Sequence, residues 1–218
     1  MLKVGLTGGI ACGKSYTLKE LHRHGAHPID ADKIVHQLLL PGHEGYKRVV
    51  EAFGLEFLNS DSHLDRRKLG DLVFSDPTAR EKLNQLIHPL VFEEERRLIE
   101  EAQLIHRRAP MVVVDAALMV EAGSYRNYDV IVMVYARPEV QLMRLILRDN
   151  LTEEEAIKRI ESQMPLLEKI KYADYVIENS GKLSNTAEQV AFTFKDLIFR
   201  YEENDFEGGW RLSNQAPR

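Results

Sequence analysis

Short runs of apolar residues recur along the chain at lengths typical of β-strands. Residues 2–7, 111–115 and 130–135 are the clearest of these runs, and weaker strand patterns lie at 27–30 and 175–177. Apolar runs without polar alternation predict strands that are buried on both faces of a sheet. The pattern therefore predicts a mostly parallel sheet.

Segments with apolar residues at helical spacing separate these strands. Helices are predicted over residues 15–24, 32–40, 139–150, 152–163 and 184–201. Strands that alternate with helices predict a three-layer α/β fold, in which ligands bind beyond the carboxyl ends of the strands. Thr7, Asp30 and Asp115 lie at such ends.

The region between the second and third strands has helical patterns and weak strand signals. We predict that residues 44–108 form an inserted helical region. Residues 1–43 and 109–201 then form the core, with a helical lid at about 137–165. The polar residues 202–218 are predicted to be a flexible tail.

Composition narrows the class of partner. The chain has 218 residues, 44% hydrophobic and 29% charged, which is ordinary for a globular protein. Its net charge of −5 argues against broad nucleic-acid binding, and no apolar run is long enough for a membrane span. With one cysteine, no intramolecular disulfide and no apolar leader, we expect a cytoplasmic protein with a small anionic ligand.

A glycine-rich segment follows the first strand. It reads Gly8-Gly9-Ile10-Ala11-Cys12-Gly13-Lys14-Ser15 and matches the phosphate-binding pattern GxxxxGK[ST]. Glycines let successive N–H groups turn inward, and the N-terminus of the next helix adds partial positive charge. Lys14 reaches the β- and γ-phosphates and the Ser15 hydroxyl suits Mg²⁺. The segment, extended to Tyr16, predicts a site for ATP with Mg²⁺.

Cys12 lies inside this loop, near a helix N-terminus that can lower the pKa of a thiol. A role as a small loop residue is the simpler interpretation. A further hypothesis is that alkylation of Cys12 blocks nucleotide binding and that ATP protects it.

Two carboxylates follow predicted strands. Asp32 is placed to orient or deprotonate an attacking hydroxyl, although an N-cap role for the next helix fits equally well. Asp115 is placed to hold Mg²⁺ through water or to contact the substrate, and turn capping is the alternative.

Arg144 and Arg148 lie four residues apart on one predicted helical face, with Arg137 just ahead of them. Guanidinium groups in such a lid would offset the charge of a transferring phosphate. The alternative is a solvated basic face.

Further motifs in fixed order resemble the dephospho-coenzyme A kinase family, from the N-terminus to about Gly181. They are Leu6-Thr7-Gly8-Gly9-Ile10, Ile29-Asp30-Ala31-Asp32, Leu64-Asp65-Arg66-Arg67-Lys68-Leu69, Val73-Phe74-Ser75-Asp76-Pro77, Ile87-His88-Pro89, Arg144, Arg148-Asp149, Gln163 and Ala173-Asp174-Tyr175-Val176-Ile177-Glu178-Asn179-Ser180-Gly181.

The resemblance implies transfer of the γ-phosphoryl group of ATP to the ribose 3′-hydroxyl of dephospho-coenzyme A. It assigns activation of that hydroxyl to Asp32 and the acceptor region to Arg66 and His88. Arg144 and Arg148 belong to the lid, with Lys14 beside them as a catalytic cation. Asn179 resembles a residue of the loop near the adenine, and Thr7 and Asp115 join the substrate-binding set.

Several positions depart from the family pattern. Ala11 and Cys12 stand where Gly and Ser are usual, and Tyr16 stands for Thr. The segment 116–121 lacks the usual proline and aromatic residue, and a basic pair after Gln163 is reduced to Leu166 and Lys169. These departures bear on acceptor affinity and catalytic efficiency, while the reaction class rests on the retained motifs.

Three alternatives remain at the level of sequence. Another small-molecule kinase would share the loop and the lid and choose a different acceptor. A nucleotide-controlled switch would need an Asn-Lys-x-Asp motif, which the chain lacks. A degenerate family member would bind nucleotide without catalysis, but the chain retains Lys14, Ser15, Asp32 and Arg148.

Overall fold

A mostly parallel five-stranded sheet organises the protein. The computed structural model describes residues 1–106 and 108–203. The strands are β1 (Leu2–Gly8), β2 (His27–Asp30), β3 (Met111–Asp115), β4 (Val130–Tyr135) and β5 (Tyr175–Glu178). Their order is β2-β3-β1-β4-β5, and β1 pairs in parallel with both β3 and β4. The predicted α/β class and all five predicted strands are confirmed.

Helices connect the strands, as the spacing of apolar residues predicts. Those of the described residues are α1 (Lys14–Arg23), α2 (Ala31–Leu38), α3 (Glu44–Phe53), α4 (Arg66–Ser75), α5 (Pro77–Ile105), α6 (Pro138–Asp149), α7 (Glu153–Glu161), α8 (Leu166–Lys169) and α9 (Leu183–Glu202). A capping box between Thr152 and Glu155 begins α7, where a helix over residues 152–163 was predicted. None of these helices is both long and apolar enough to cross a membrane.

The chain divides into two compact units. The first contains Met1–Ile29 together with the residues from Ile105 onward, and the second is Asp30–Leu104. The second unit therefore includes α2, whereas the sequence pattern places the start of the inserted region at residue 44. Of the predicted flexible tail, Glu202 lies in α9, and residues 204–218 fall outside the described residues.

The core of the first unit lies around the three central strands. Leu2, Val4 and Leu6 of β1 are buried, and so are residues 111–114 and 130–134 in the neighbouring strands. Adjacent residues of a strand point to opposite faces, so burial of consecutive residues means that both faces of the sheet are covered. Each such side chain contributes about 1.5–3 kcal/mol through removal from water.

The longest helix of the second unit continues through a proline. Helix α5 contains Pro89 in its interior, where the missing N–H removes one backbone hydrogen bond. Ile87 and Val91, on either side, are buried. Their packing offsets the local cost, so the motif Ile87-His88-Pro89 lies within a continuous helix.

We expect Gly8→Ala to destabilise the protein by about 2–4 kcal/mol, because it combines left-handed backbone strain with overpacking. Gly8 has φ +152°, and an added Cβ would lie 2.5 Å from the Val134 carbonyl oxygen, which belongs to a paired strand and cannot move away. Urea unfolding followed by circular dichroism measures the change.

Gly70→Ala is the matched control. Gly70 is an exposed residue inside α4, and an added Cβ there would meet nothing within 4 Å. Alanine should stabilise this helix by about 0.5–1 kcal/mol. Equal unfolding free energies for Gly8→Ala and the wild type would contradict the argument.

Candidate active site

The predicted phosphate-binding segment forms one loop between β1 and α1. Gly13 is the N-cap of α1, with φ +98°, and the Cys12 N–H donates to the Gly9 carbonyl at 3.2 Å. Ala11 has φ +58°, a left-handed conformation that glycine adopts without strain. The usual glycine of the family pattern is therefore replaced at a position where alanine is strained, and the loop keeps its shape nonetheless.

Lys14 and Asp115 meet at the carboxyl edge of the sheet. Leu6 of β1 pairs with Asp115 of β3, so the residues that follow β1 lie beside this carboxylate. The Lys14 Nζ lies 3.9 Å from Asp115 Oδ1, and both side chains are largely buried. The structure thus brings together the predicted phosphate cation and the predicted second carboxylate.

The two lid arginines differ in their surroundings. Arg144 Nη1 is buried and, within the described part of the chain, makes no hydrogen bond; an idealised Cβ on Gly13 would lie 3.9 Å from it. Arg148 instead pairs with Asp149 through two bonds of 2.7 and 3.1 Å. The hydrogen bonds from this guanidinium to Asp149 raise the pKa of Arg148 and lower that of Asp149. Of these two arginines, Arg144 is the one that the structure shows next to the phosphate loop, at Gly13.

Two glutamines form hydrogen bonds with the same residue of the loop, Ile10. The Ile10 N–H donates to Gln163 Oε1 and the Gln141 Nε2 donates to the Ile10 carbonyl, both at 2.8 Å. Gln163 belongs to a family motif, but neither glutamine was assigned a role from the sequence. Each lies more than 130 positions from Ile10 along the chain, so no local pattern predicts these contacts.

Asn179 supports the same loop from behind. Its Nδ2 donates to the Cys12 carbonyl at 2.8 Å, and its Oδ1 accepts from the Thr186 hydroxyl at 2.8 Å. The residue is 2% exposed. Its amide therefore stabilises the backbone of the nucleotide loop, while its predicted place near the adenine stays a prediction.

Two further predicted residues use their hydroxyls for internal contacts. Thr7 is buried and its Oγ1 donates to the Ala117 carbonyl at 3.2 Å. The Tyr16 hydroxyl donates to the Leu183 carbonyl at 3.2 Å. Ser15, by contrast, is exposed at the start of α1, which suits its predicted role as a metal ligand.

A buried lysine forms an ion pair with the segment that follows β3. Lys169 is 0% exposed; its Nζ contacts Glu121 Oε1 at 2.8 Å and donates to the Ala117 carbonyl at 2.9 Å. Glu121 also accepts from the Met164 N–H at 3.1 Å. The Lys169 ammonium is therefore held by Glu121 and Ala117. The sequence had identified Lys169 only as what remains of a basic pair after Gln163.

Three predicted site residues lie in the second unit. Asp30 caps α2 by accepting from the Lys33 N–H at 3.1 Å, so the cap role considered for Asp32 belongs to Asp30. Asp32 lies in the first turn of α2 with its side chain exposed. Arg66, at the start of α4, hydrogen-bonds to the His36 ring.

His88, the third of these residues, lies in α5 against the ring of Phe92. Burial lowers the pKa of its imidazole. The ring is therefore neutral at neutral pH, and it can donate or accept a hydrogen bond without carrying charge.

We expect Cys12 to react slowly with iodoacetamide in the native protein at neutral pH, and faster as pH rises. Burial raises the pKa of the Cys12 thiol, although the backbone at Ala136 and Gly9 lowers it, so the direction is opposite to that expected from a helix N-terminus alone. The thiolate is the reactive form. Mass spectrometry of native and urea-unfolded protein measures the two rates.

Once Cys12 is labelled, nucleotide binding should be lost, and ATP should slow the labelling. Cys12 is fully buried and its carbonyl is held by Asn179, so an added group must displace the loop. Full activity after complete modification would contradict this expectation.

We expect Lys169→Met to lower the free energy of unfolding by about 1–3 kcal/mol, because it removes a charged donor that contacts both the Glu121 carboxylate and the Ala117 carbonyl. The control is Lys171→Met, which removes an exposed pair with Glu168 and should change stability by less than about 0.5 kcal/mol. Denaturant unfolding compares the two. Equal effects would refute a special role for the buried lysine.

Comparison with known proteins agrees with this geometry. A family model described as dephospho-CoA kinase matches residues 2–185. A dephospho-CoA kinase of Syntrophus aciditrophicus is 43% identical over 198 residues, which cover 91% of this chain and 84% of that protein.

Solved structures agree as well. TT1252 from Thermus thermophilus has a TM-score of 0.74 and 32% identity, covering 88% of this chain and 95% of its own. A dephospho-CoA kinase from Campylobacter jejuni has a TM-score of 0.63 and 28% identity, covering 90% of this chain and 96% of its own. The chain therefore belongs to the dephospho-CoA kinase family.

Proposed function

We propose that the phosphate loop, Lys14, Arg144 and Asp32 carry out phosphoryl transfer to the ribose 3′-hydroxyl of dephospho-coenzyme A. The chain is an ATP-dependent dephospho-CoA kinase, and its reaction is the last step of coenzyme A biosynthesis. The observation that carries the assignment is Arg144 Nη1, a buried donor without a hydrogen bond in the described residues, beside a loop built to bind phosphate.

The phosphate loop is proposed to bind ATP, the phosphoryl donor. Its N–H groups and the N-terminus of α1 hold the β-phosphate, and the Lys14 ammonium neutralises the charge that collects on the β- and γ-oxygens. The bond between the γ-phosphorus and the β–γ bridging oxygen breaks, and ADP leaves with that oxygen. Arg144 stabilises the charge on the transferring group, and a bound phosphate oxygen supplies the acceptor that its Nη1 lacks.

On the acceptor side, the ribose 3′-oxygen forms the new bond to phosphorus and loses its proton. Asp32 is the proposed acceptor of that proton. Its carboxylate is exposed, and Asp30 supplies the N-cap of α2, so capping does not occupy Asp32. General-base help of this kind contributes about 10²–10⁴-fold to rate.

Residues of the second unit are proposed to bind the acceptor molecule. Arg66 suits a phosphate of dephospho-coenzyme A, since a guanidinium binds phosphate oxygens through paired N–H groups. Neutral His88 suits a hydroxyl or amide of the same substrate. When the proposed lid closes, we expect Arg148 to leave Asp149 and bind phosphate. Asn179 and Tyr16 are proposed to belong to the ATP-binding site, and Thr7 to the substrate-binding site.

Mg²⁺ accompanies ATP in this proposal. Magnesium prefers oxygen ligands and keeps several waters, and the chain offers the exposed Ser15 hydroxyl and the Asp115 carboxylate. Within the described residues no cluster of three His, Cys, Asp or Glu side chains offers a separate metal cage. Bound there, the ion would neutralise phosphate charge, with Ser15 as ligand and Asp115 holding it through water or contacting the acceptor.

The broader setting remains a prediction from sequence. We expect a cytoplasmic enzyme whose partners are ATP and dephospho-coenzyme A, without nucleic acid or membrane. A different small-molecule acceptor is the remaining rival. ADP release measured with dephospho-coenzyme A, adenosine, AMP or no acceptor distinguishes them, with the product confirmed by mass.

We expect Asp32→Asn to lower turnover with dephospho-coenzyme A by about 10²–10⁴-fold, because the amide cannot accept the proton. ATP affinity, measured by calorimetry with a non-hydrolysable analogue, should stay within about twofold because the substitution leaves the phosphate loop intact. A coupled ADP-release assay measures turnover.

Asp30→Asn is the matched control, since asparagine is as good an N-cap as aspartate and the turnover should remain near that of wild type. Near-normal turnover of Asp32→Asn, or an equal loss of nucleotide affinity, would contradict the role assigned to Asp32.

A further inference from the structure

Gln141 lies in the first turn of the lid helix α6, three residues ahead of Arg144. It is a polar residue that is only 3% exposed, and its Nε2 donates to the Ile10 carbonyl at 2.8 Å. Residues three apart share one face of a helix. The face of α6 that carries Arg144 is therefore bonded to the backbone of the phosphate loop.

The Gln141 side chain lies close to the backbone of the phosphate loop at Gly9. An added Cβ on Gly9 would lie 2.7 Å from Gln141 Nε2 and 2.8 Å from Leu166 Cδ2. Leu145, the next residue after Arg144, is fully buried, whereas Met143 and Leu147 are exposed. The packing of Leu145 limits how far α6 can move away from the core. The Gln141 hydrogen bond limits rotation of α6 about its axis, since rotation in either direction would stretch that bond.

The rotation of α6 decides where the Arg144 guanidinium lies. Its Nη1 is buried next to Gly13 and donates no hydrogen bond to any described residue, so none of the described acceptors holds the group there. Its position must come from the helix that carries it. Misplacement of a catalytic group by about 1 Å costs on the order of 10²-fold in rate.

We propose that Gln141 is a positioning residue that aims Arg144 at the γ-phosphate by tying α6 to the Ile10 carbonyl. The inference rests on the role proposed above for Arg144. Gln141 itself touches no substrate, and its effect on turnover passes through the arginine.

A double-mutant cycle tests this coupling. The variants are Gln141→Met, Arg144→Ala and the double variant, each assayed for kcat and for KM of ATP with saturating dephospho-coenzyme A. In the presence of Arg144, Gln141→Met should lower kcat by roughly 10–100-fold and change KM for ATP by less than about threefold. In the Arg144→Ala background the same change should lower kcat by less than about threefold.

Gln163→Met is the matched control. It removes the other hydrogen bond to Ile10, at the N–H, from a residue that follows α7 and does not carry Arg144. Its effect on kcat should be the same with and without Arg144. Coupling of equal size for both glutamines would show that loop support alone is responsible, and would overturn the proposal.

Two failures are distinguishable. If Arg144→Ala leaves kcat unchanged, the role of Arg144 in the proposed function is wrong, and so is positioning through it. If Arg144→Ala is impaired but Gln141→Met has the same effect in both backgrounds, the positioning role alone is wrong. Thermal melting checks that the variants fold, and Gln141→Leu, which loses the donor without adding a charge, replaces Gln141→Met if that variant does not.

Discussion

The parallel pairing of β1 between β3 and β4 is the constraint on which the site depends. Parallel strands end at the same edge of a sheet, so the residues that follow β1 and β3 must be neighbours. This pairing places Lys14 and Asp115 within 3.9 Å, although they are a hundred positions apart. The buried strands resist displacement, and the edge that they form is therefore a rigid base for a charged site.

A second layer of polar contacts fixes the loop on that base. Ile10 and Cys12 of the loop are bound through their peptide groups by Gln141, Gln163 and Asn179, which come from three separate later segments. Buried polar side chains of this kind cost free energy unless each finds a partner, so their geometry is narrowly defined once folded. A loop held in this way needs little reorganisation when phosphate binds, and preorganisation of this sort is a large part of catalysis by charge stabilisation.

The ion pair of the buried Lys169 with Glu121 extends the same logic to the segment after β3. Ala117 accepts from both Lys169 and Thr7, and Glu121 holds the Met164 N–H next to Gln163. The segment after β3 and the residues around Gln163 are thus joined within one network. Such a pair adds little net stability compared with apolar packing, but the buried Lys169 ammonium would be costly without its partners, and this favours one arrangement.

Local sequence patterns and motifs were sufficient to predict many structural features of the protein. The five strands, the glycine-rich loop with Lys14 and Ser15, and the capping box at Thr152 follow from short-range rules of burial, backbone freedom and hydrogen bonding. The roles proposed for Asp32, Arg144 and Arg148 came from their positions in the predicted elements and from family motifs, and they stay predictions.

The sequence by itself therefore determined the parallel α/β class, the phosphate loop and the family to which the chain belongs, because these depend on residues near one another in the chain. Only the tertiary structure decided which of Arg144 and Arg148 faces the loop, that Asp30 takes the cap of α2, and that burial raises the pKa of Cys12. Each of these depends on which distant side chains pack together and exclude water, and the spacing of residues along a chain does not encode those partners.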